Sequence, residues 1–117
     1  MPRSQRLRVQ DILTAAQRVR GYTAGLSEAA FLEDTKTVDA VVRNLEVIGE
    51  AAARLNDSIV EAYPSVAWRE LRGIRNVLIH AYFGVDGAVL WRAVCEDVPQ
   101  LIVQMTEILA SLPPDSE

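Results

Sequence analysis

Histidine and cysteine each occur once in this sequence, as His80 and Cys95, and that scarcity excludes several kinds of chemistry. A single cysteine leaves no internal disulfide and no cysteine-rich metal site. With one histidine beside it, a zinc centre would need carboxylates converging from distant helices, so no metal and no cofactor are expected. No apolar run approaches the roughly 18 residues of a membrane span. The stretch Met1-Pro2-Arg3-Ser4-Gln5-Arg6-Leu7-Arg8 carries charge with no apolar region after it, so no secretory signal is expected and the cytoplasm is the default location. No segment alternates with the period of a strand, no glycine-rich phosphate loop occurs, and no internal repeat is visible.

What is present suits one packed domain over residues 1–117, with residues 113–117 as a frayed tail. Half of the 117 residues are hydrophobic and the mean hydropathy is +0.08, which argues against disorder. The net charge of −4 does not advertise a nucleic-acid binder, but its distribution is uneven. Residues 1–20 carry five arginines against Asp11, and residues 69–92 carry four against Glu70 and Asp86. Eleven of the twelve basic residues are arginine, whose planar fork fits phosphate oxygens. The plainer meaning of the amino-terminal arginines is a solvated, mixed-charge surface.

Helical spacing runs through most of the chain. Ser4 is placed to cap a helix over about 5–24, with Leu7, Ile12, Leu13, Ala16, Val19 and Tyr22 on one face and Gly25 ending it. Residues 27–34 read as a short helical turn or loop. A second long helix is expected over about 35–56, with Val38, Val41, Val42, Leu45, Ile48, Ala52 and Leu55 as its apolar stripe. Asn56-Asp57-Ser58 breaks it. Pro64 fits the start of a helix over about 65–82, and Gly84 stops it. Asp86 caps the next, over about 87–96; Asp97 and Pro99 mark a kink or a fresh start, and an apolar face continues to about Leu112. The expected architecture is an all-α bundle of four to five helices.

The chemistry concentrates at residues 75–82. At about 100° per residue, with Arg75 as zero, Asn76 falls near 100°, His80 near 140° and Tyr82 near −20°. These four polar residues share one broad face, opposite the aliphatic side chains of Ile74, Val77, Leu78 and Ala81. Arginine supplies a permanent forked cation, and imidazole is the side chain that trades protons near neutral pH. About 140° separates Arg75 from His80, too wide for a close pair on a straight helix. Either the helix ends or bends near His80, or a second subunit completes the site. Read singly, Asn76 is a surface amide and Tyr82 a packing aromatic. Glu46 and Glu50 read as a solvated or salt-bridged strip with Arg43 and Arg54. Gly49 reads as a close helix contact, Trp68 and Trp91 as core or interface anchors, and Cys95 as a small buried hydrophobe.

Arg75-Asn76 with His80-Ala81-Tyr82 resembles the Arg-x4-His-x-Tyr signature of HEPN-type ribonuclease toxins of the HepT-like family. The flanking blocks match as well: Val47-Ile48-Gly49-Glu50-Ala51-Ala52, Trp68 before Ile74-Arg75-Asn76, and Tyr82-Phe83-Gly84-Val85-Asp86 followed by Leu90-Trp91. The resemblance covers about residues 5–112. It implies a homodimeric helical bundle of HEPN type and a metal-independent endoribonuclease with Arg75 and His80 as catalytic residues. Asn76 and Arg72 would orient the RNA substrate, and Glu50, through its matching block, is a lesser candidate for the active face. It further implies the toxin of a type VII-like toxin–antitoxin pair, neutralised when an MntA-like nucleotidyltransferase antitoxin transfers AMP to Tyr82. Two other functions fit the residues: a non-catalytic dimeric module that binds a nucleotidyltransferase or nucleotide, and an arginine face that binds RNA ends without cutting them.

Overall fold

The computed structural model of the chain describes residues 3–76, Leu78 and residues 86–114. Seven α-helices and one π-helical turn have defined bounds there: α1 (Gln5–Thr23), α2 (Glu28–Glu33), α3 (Thr35–Ala53), α4 (Asp57–Ala62), α5 (Trp68–Arg72), α6 (Gly87–Arg92), the π turn (Ala93–Asp97) and α7 (Val98–Ser111). The chain is an all-α bundle, as its periodicity indicates. Helix α1 is the central member and packs along both α3 and α7.

Each boundary has a local cause. The Leu7 amide donates to Ser4 Oγ at 3.0 Å, the Ala30 amide to Ser27 Oγ at 3.1 Å, and the Ile59 amide to Asn56 Oδ1 at 3.1 Å. Asp34 accepts from both the amide and the hydroxyl of Thr37, and that bonding holds its carboxyl below the usual range. Such caps satisfy donors that the first helical turn leaves unpaired. Gly25, at φ +78°, supplies the left-handed residue beyond α1 that other side chains rarely adopt.

The core is built from Val9, Ile12, Ala16 and Val19 of α1, Val41, Leu45 and Ile48 of α3, and Leu101, Met105 and Ile108 of α7. Leu7 and Tyr22, expected at the ends of the α1 stripe, are exposed, and Val9 is buried instead. Leu7 lies about 140° round the helix from Ile12, and Val9 about 60°. Full burial of a side chain such as Ile12 or Ile48 contributes about 1.5–3 kcal/mol.

Two of the amino-terminal arginines are engaged. Arg6 donates to the carbonyls of Leu109 and Leu112 at 3.0 and 3.2 Å, which ties the end of α7 to the start of α1. Arg3 forms a bidentate pair with Asp11 at 2.6 and 2.8 Å, which raises the guanidinium pKa further.

Three expectations need correction. The helix expected from Pro64 begins at Trp68, because residues 64–67 form a turn that tucks Val66 and Trp68 into the core. Within that turn the Trp68 indole donates to the Tyr63 carbonyl at 2.9 Å. The helix is then interrupted at Gly73, and residues 74–76 are helical again. Cys95 is exposed rather than buried, since Val94 and Val98 take the inward positions on either side of it. At Asp97 and Pro99, where a kink or a fresh start is expected, the chain forms the π turn and continues directly into α7. Proline lacks a donor and its ring crowds the carbonyl four residues back. The Val98 amide instead reaches the Ala93 carbonyl, five back, and helicity is kept. His80, Tyr82 and Gly84 lie outside the described residues, as do residues 115–117 of the tail. Pro113 and Pro114 are exposed beyond the end of α7.

Candidate active site

A groove of about 340 Å³ runs between α3 and the segment that follows α5, lined by Glu46, Gly49, Glu50 and Ala53 on one side and Arg72, Ile74 and Arg75 on the other. Its width is set by a glycine. A Cβ built on Gly49 would collide with Ile74 Cγ2 and stand 3.3 Å from the Leu71 carbonyl, so only glycine lets the two segments come this close. The close helix contact expected at Gly49 is therefore present, and it forms part of the groove.

Gly49→Ala tests that packing. The substitution gains roughly 1 kcal/mol of helix propensity, but overpacking costs about 1–3 kcal/mol. The obstructing atom is the Ile74 γ-methyl, which moves only with χ1, a torsion that a β-branched residue in a helix holds in one strongly preferred setting. The clash therefore outweighs the gain in propensity. Thermal melting is expected at a lower midpoint than wild type, and an unchanged or raised midpoint would show that the segments are not in contact.

The two arginines of the groove differ. Arg72 donates from Nε to the Ala52 carbonyl at 3.1 Å and from Nη2 to the Leu55 carbonyl at 3.1 Å. A cation at the carboxyl end of α3 adds charge-assisted bonds to its terminal carbonyls, one of which also accepts from the Leu55 amide, and interacts favourably with the helix dipole. Arg72 thus fixes the groove wall with most of its fork. Arg75 is exposed and has no hydrogen-bond or ion-pair partner among the described residues. Asn76, next to it, is exposed too. Of the residues singled out in the sequence, the structure brings Arg72 and Arg75 to one groove and leaves Asn76 at its edge. It does not describe His80 or Tyr82.

Glu46 and Glu50 are exposed, and neither forms an ion pair with Arg43 or Arg54; the one ion pair among the described residues joins Arg3 and Asp11. Their place on the groove wall is the feature that spacing along one helix could not give. The signal available was the block Ile48-Gly49-Glu50, which sets a carboxylate beside a mid-helix glycine.

A second depression of about 370 Å³ lies on the other side of Ile74, with Leu45, Ile48, Leu71, Val89 and Leu101 among its aliphatic walls and Asp97 also lining it. Partial burial raises the Asp97 carboxyl, Glu96 raises it further, and Arg92 opposes both. A carboxyl raised in the folded state penalises folding once it is ionised. The penalty is absent below the ordinary value near 3.8 and complete above the raised one. Asp97→Asn is therefore expected to raise the melting temperature slightly at pH 7 and to lose that advantage as pH falls below 4. An equal effect at both pH values would assign the difference to packing.

The model of the family described as "Ribonuclease HepT-like" matches residues 12–108, a span that includes both walls of the groove and the Arg75–Tyr82 segment. The chain belongs to the HepT-like ribonuclease family. It is 43% identical over 101 residues to "Probable ribonuclease HepT" of Thermococcus cleftensis, covering 86% of this chain and 92% of that one. It is also 43% identical over 91 residues to a Methanocaldococcus jannaschii protein provisionally named as an RNase, covering 78% of this chain and 84% of the relative. A similarly named protein of Caldanaerobacter subterraneus subsp. tengcongensis is 36% identical over 101 residues, 86% of this chain and 90% of the relative. No solved structure matches this HepT-like chain. Arg3 and Arg6 lie outside the matched span, in keeping with the structural work both do here. Among the described residues of this HepT-like chain, no helix is long and apolar enough to cross a membrane.

Proposed function

We propose that this HepT-like protein is a metal-independent endoribonuclease, the toxin of a type VII-like toxin–antitoxin pair, whose catalytic unit is a homodimer. The observation that carries the reading is the exposed guanidinium of Arg75, without a partner among the described residues, in a groove of the family-matched span. A guanidinium left without a carboxylate is ready to take a phosphate oxygen pair.

In the reaction, the ribose 2′-hydroxyl attacks the adjacent phosphorus and the bond to the 5′-oxygen breaks. The products are a 2′,3′-cyclic phosphate and a 5′-hydroxyl end. Arg75 stabilises the charge that builds on the phosphoryl oxygens. His80, whose ordinary pKa is near 6.5, exchanges protons with the reacting oxygens. Asn76 orients the phosphate as a neutral donor, and Arg72 holds the wall on which Arg75 stands. Two-fold pairing would bring Arg75 and His80 of both chains to one cleft, which removes the angular difficulty of pairing them within one straight helix.

Silencing follows from the same charge logic. An MntA-like nucleotidyltransferase would join AMP from ATP to the Tyr82 hydroxyl with release of pyrophosphate. The added phosphate and bulk would compete with RNA for the Arg75 guanidinium. Expression of the chain is expected to arrest growth, and His80→Ala to abolish the arrest. Co-expression of the nucleotidyltransferase should restore growth and add the mass of AMP to the wild-type chain but not to Tyr82→Phe. Growth unaffected by the wild-type chain would reject the toxin, and AMP on Tyr82→Phe would reject that site.

A further inference from the structure

The groove holds Glu46 and Glu50 together with Arg75, and all three side chains are exposed. Carboxylates repel phosphate, so a surface built only to hold an RNA backbone has no use for them. Every RNA phosphate is accompanied by one hydrogen-bond donor that DNA lacks, the neighbouring 2′-hydroxyl. A guanidinium and a carboxylate in one groove complement that pair of groups, the first taking the phosphate and the second accepting from the hydroxyl. Glu50 is the better placed of the two acids. Gly49 and Ile74 are in contact across the groove, and Glu50 and Arg75, which follow them in the chain, both line it within one residue of that contact. Glu46 lies about one helical turn earlier.

We infer that Glu50 is the general base of RNA cleavage, an assignment that rests on the ribonuclease reading above. Its carboxylate takes the proton of the 2′-hydroxyl as the bond from that oxygen to phosphorus forms. The bond from phosphorus to the 5′-oxygen breaks, and the departing oxygen receives a proton from His80. Glu50 then returns its proton to water and His80 regains one, so the enzyme is restored. The assignment also explains how a chain with one histidine fills two proton-transfer roles. It makes a carboxylate the base and leaves the imidazole as the acid.

The test compares ordinary RNA with a uridine 3′-phosphodiester whose leaving group is 4-nitrophenol. That leaving group departs without a proton, so loss of the acid is forgiven and loss of the base is not. Glu50→Gln is expected to slow both substrates alike, by about 10²–10⁴-fold. His80→Ala should slow RNA far more than the activated substrate, and Glu50→Asp should recover part of the loss on both. Because Glu50 is exposed and glutamine has its shape, the variant should keep wild-type helicity by circular dichroism. Wild-type rates in Glu50→Gln, a loss confined to RNA, or the equal loss arising from Glu46→Gln instead would each overturn the assignment while the ribonuclease stands. A wild-type chain that cuts neither substrate would remove the ribonuclease and this base together.

Discussion

Arg75→Ala is expected to lower the rate of RNA cleavage by about 10²–10³-fold, the loss typical when one donor to a developing oxyanion is removed. The effect should fall mainly on kcat, because the charge that Arg75 stabilises is greatest in the transition state. Folding should be untouched, since Arg75 is exposed and holds no other residue in place among those described. Arg75→Lys should recover only part of the rate, as a point charge replaces a two-pronged fork. Arg72→Ala offers the contrast. Its guanidinium closes the end of α3, so its removal should lower stability as well as activity. Steady-state kinetics with thermal melting of the same three variants separates the two roles, and an Arg75→Ala chain with unaltered kcat would remove Arg75 from the reaction.

Phe31→Ala is expected to have the largest effect on stability, about 3–5 kcal/mol. Phe31 is fully buried, and its ring stacks on Trp91 with centroids 5.1 Å apart and a 33° tilt. That pair fastens α2 to α6, so truncation removes a core side chain and an aromatic contact worth about 0.5–1.5 kcal/mol. Against a typical total of about 5–15 kcal/mol for a domain, the loss would leave a marginal fold. Urea denaturation reads it as a lower midpoint at constant slope. A change under about 1 kcal/mol would mean that the Phe31 site collapses around the gap.

Phe31 also marks where the sequence stops being informative. A helix of six residues is too short to display a periodic stripe, so residues 27–34 read as a short helical turn or loop with no sign that they carry one of the core's largest side chains. The long helices α1, α3 and α7 were legible because each shows several turns of apolar spacing and clear stop signals. Pro64 misled because proline suits either a helix start or a turn. The choice was made by the burial of Val66 and Trp68, a tertiary fact.

The site was legible to a different degree. The residues at 75–82 drew attention through their chemical types and through their resemblance to a known signature, and Gly49 through being a glycine inside a helix. That Glu50 and Arg75 line one groove depends on how α3 packs against the segment after α5. Residues some 25 positions apart carry no periodic relation. Arg72 is the sharper case: it has the composition of a phosphate ligand, yet carbonyls at the end of α3 take much of its donor fork. Only the position of that helix end distinguishes the two uses.

Analysis of the RNA ends left by the purified chain, with EDTA present throughout, bears most directly on the ribonuclease. Wild-type protein should leave 2′,3′-cyclic phosphates and 5′-hydroxyls, and His80→Ala should leave the RNA intact. Cleavage that EDTA abolishes, or that persists undiminished in His80→Ala, would contradict it.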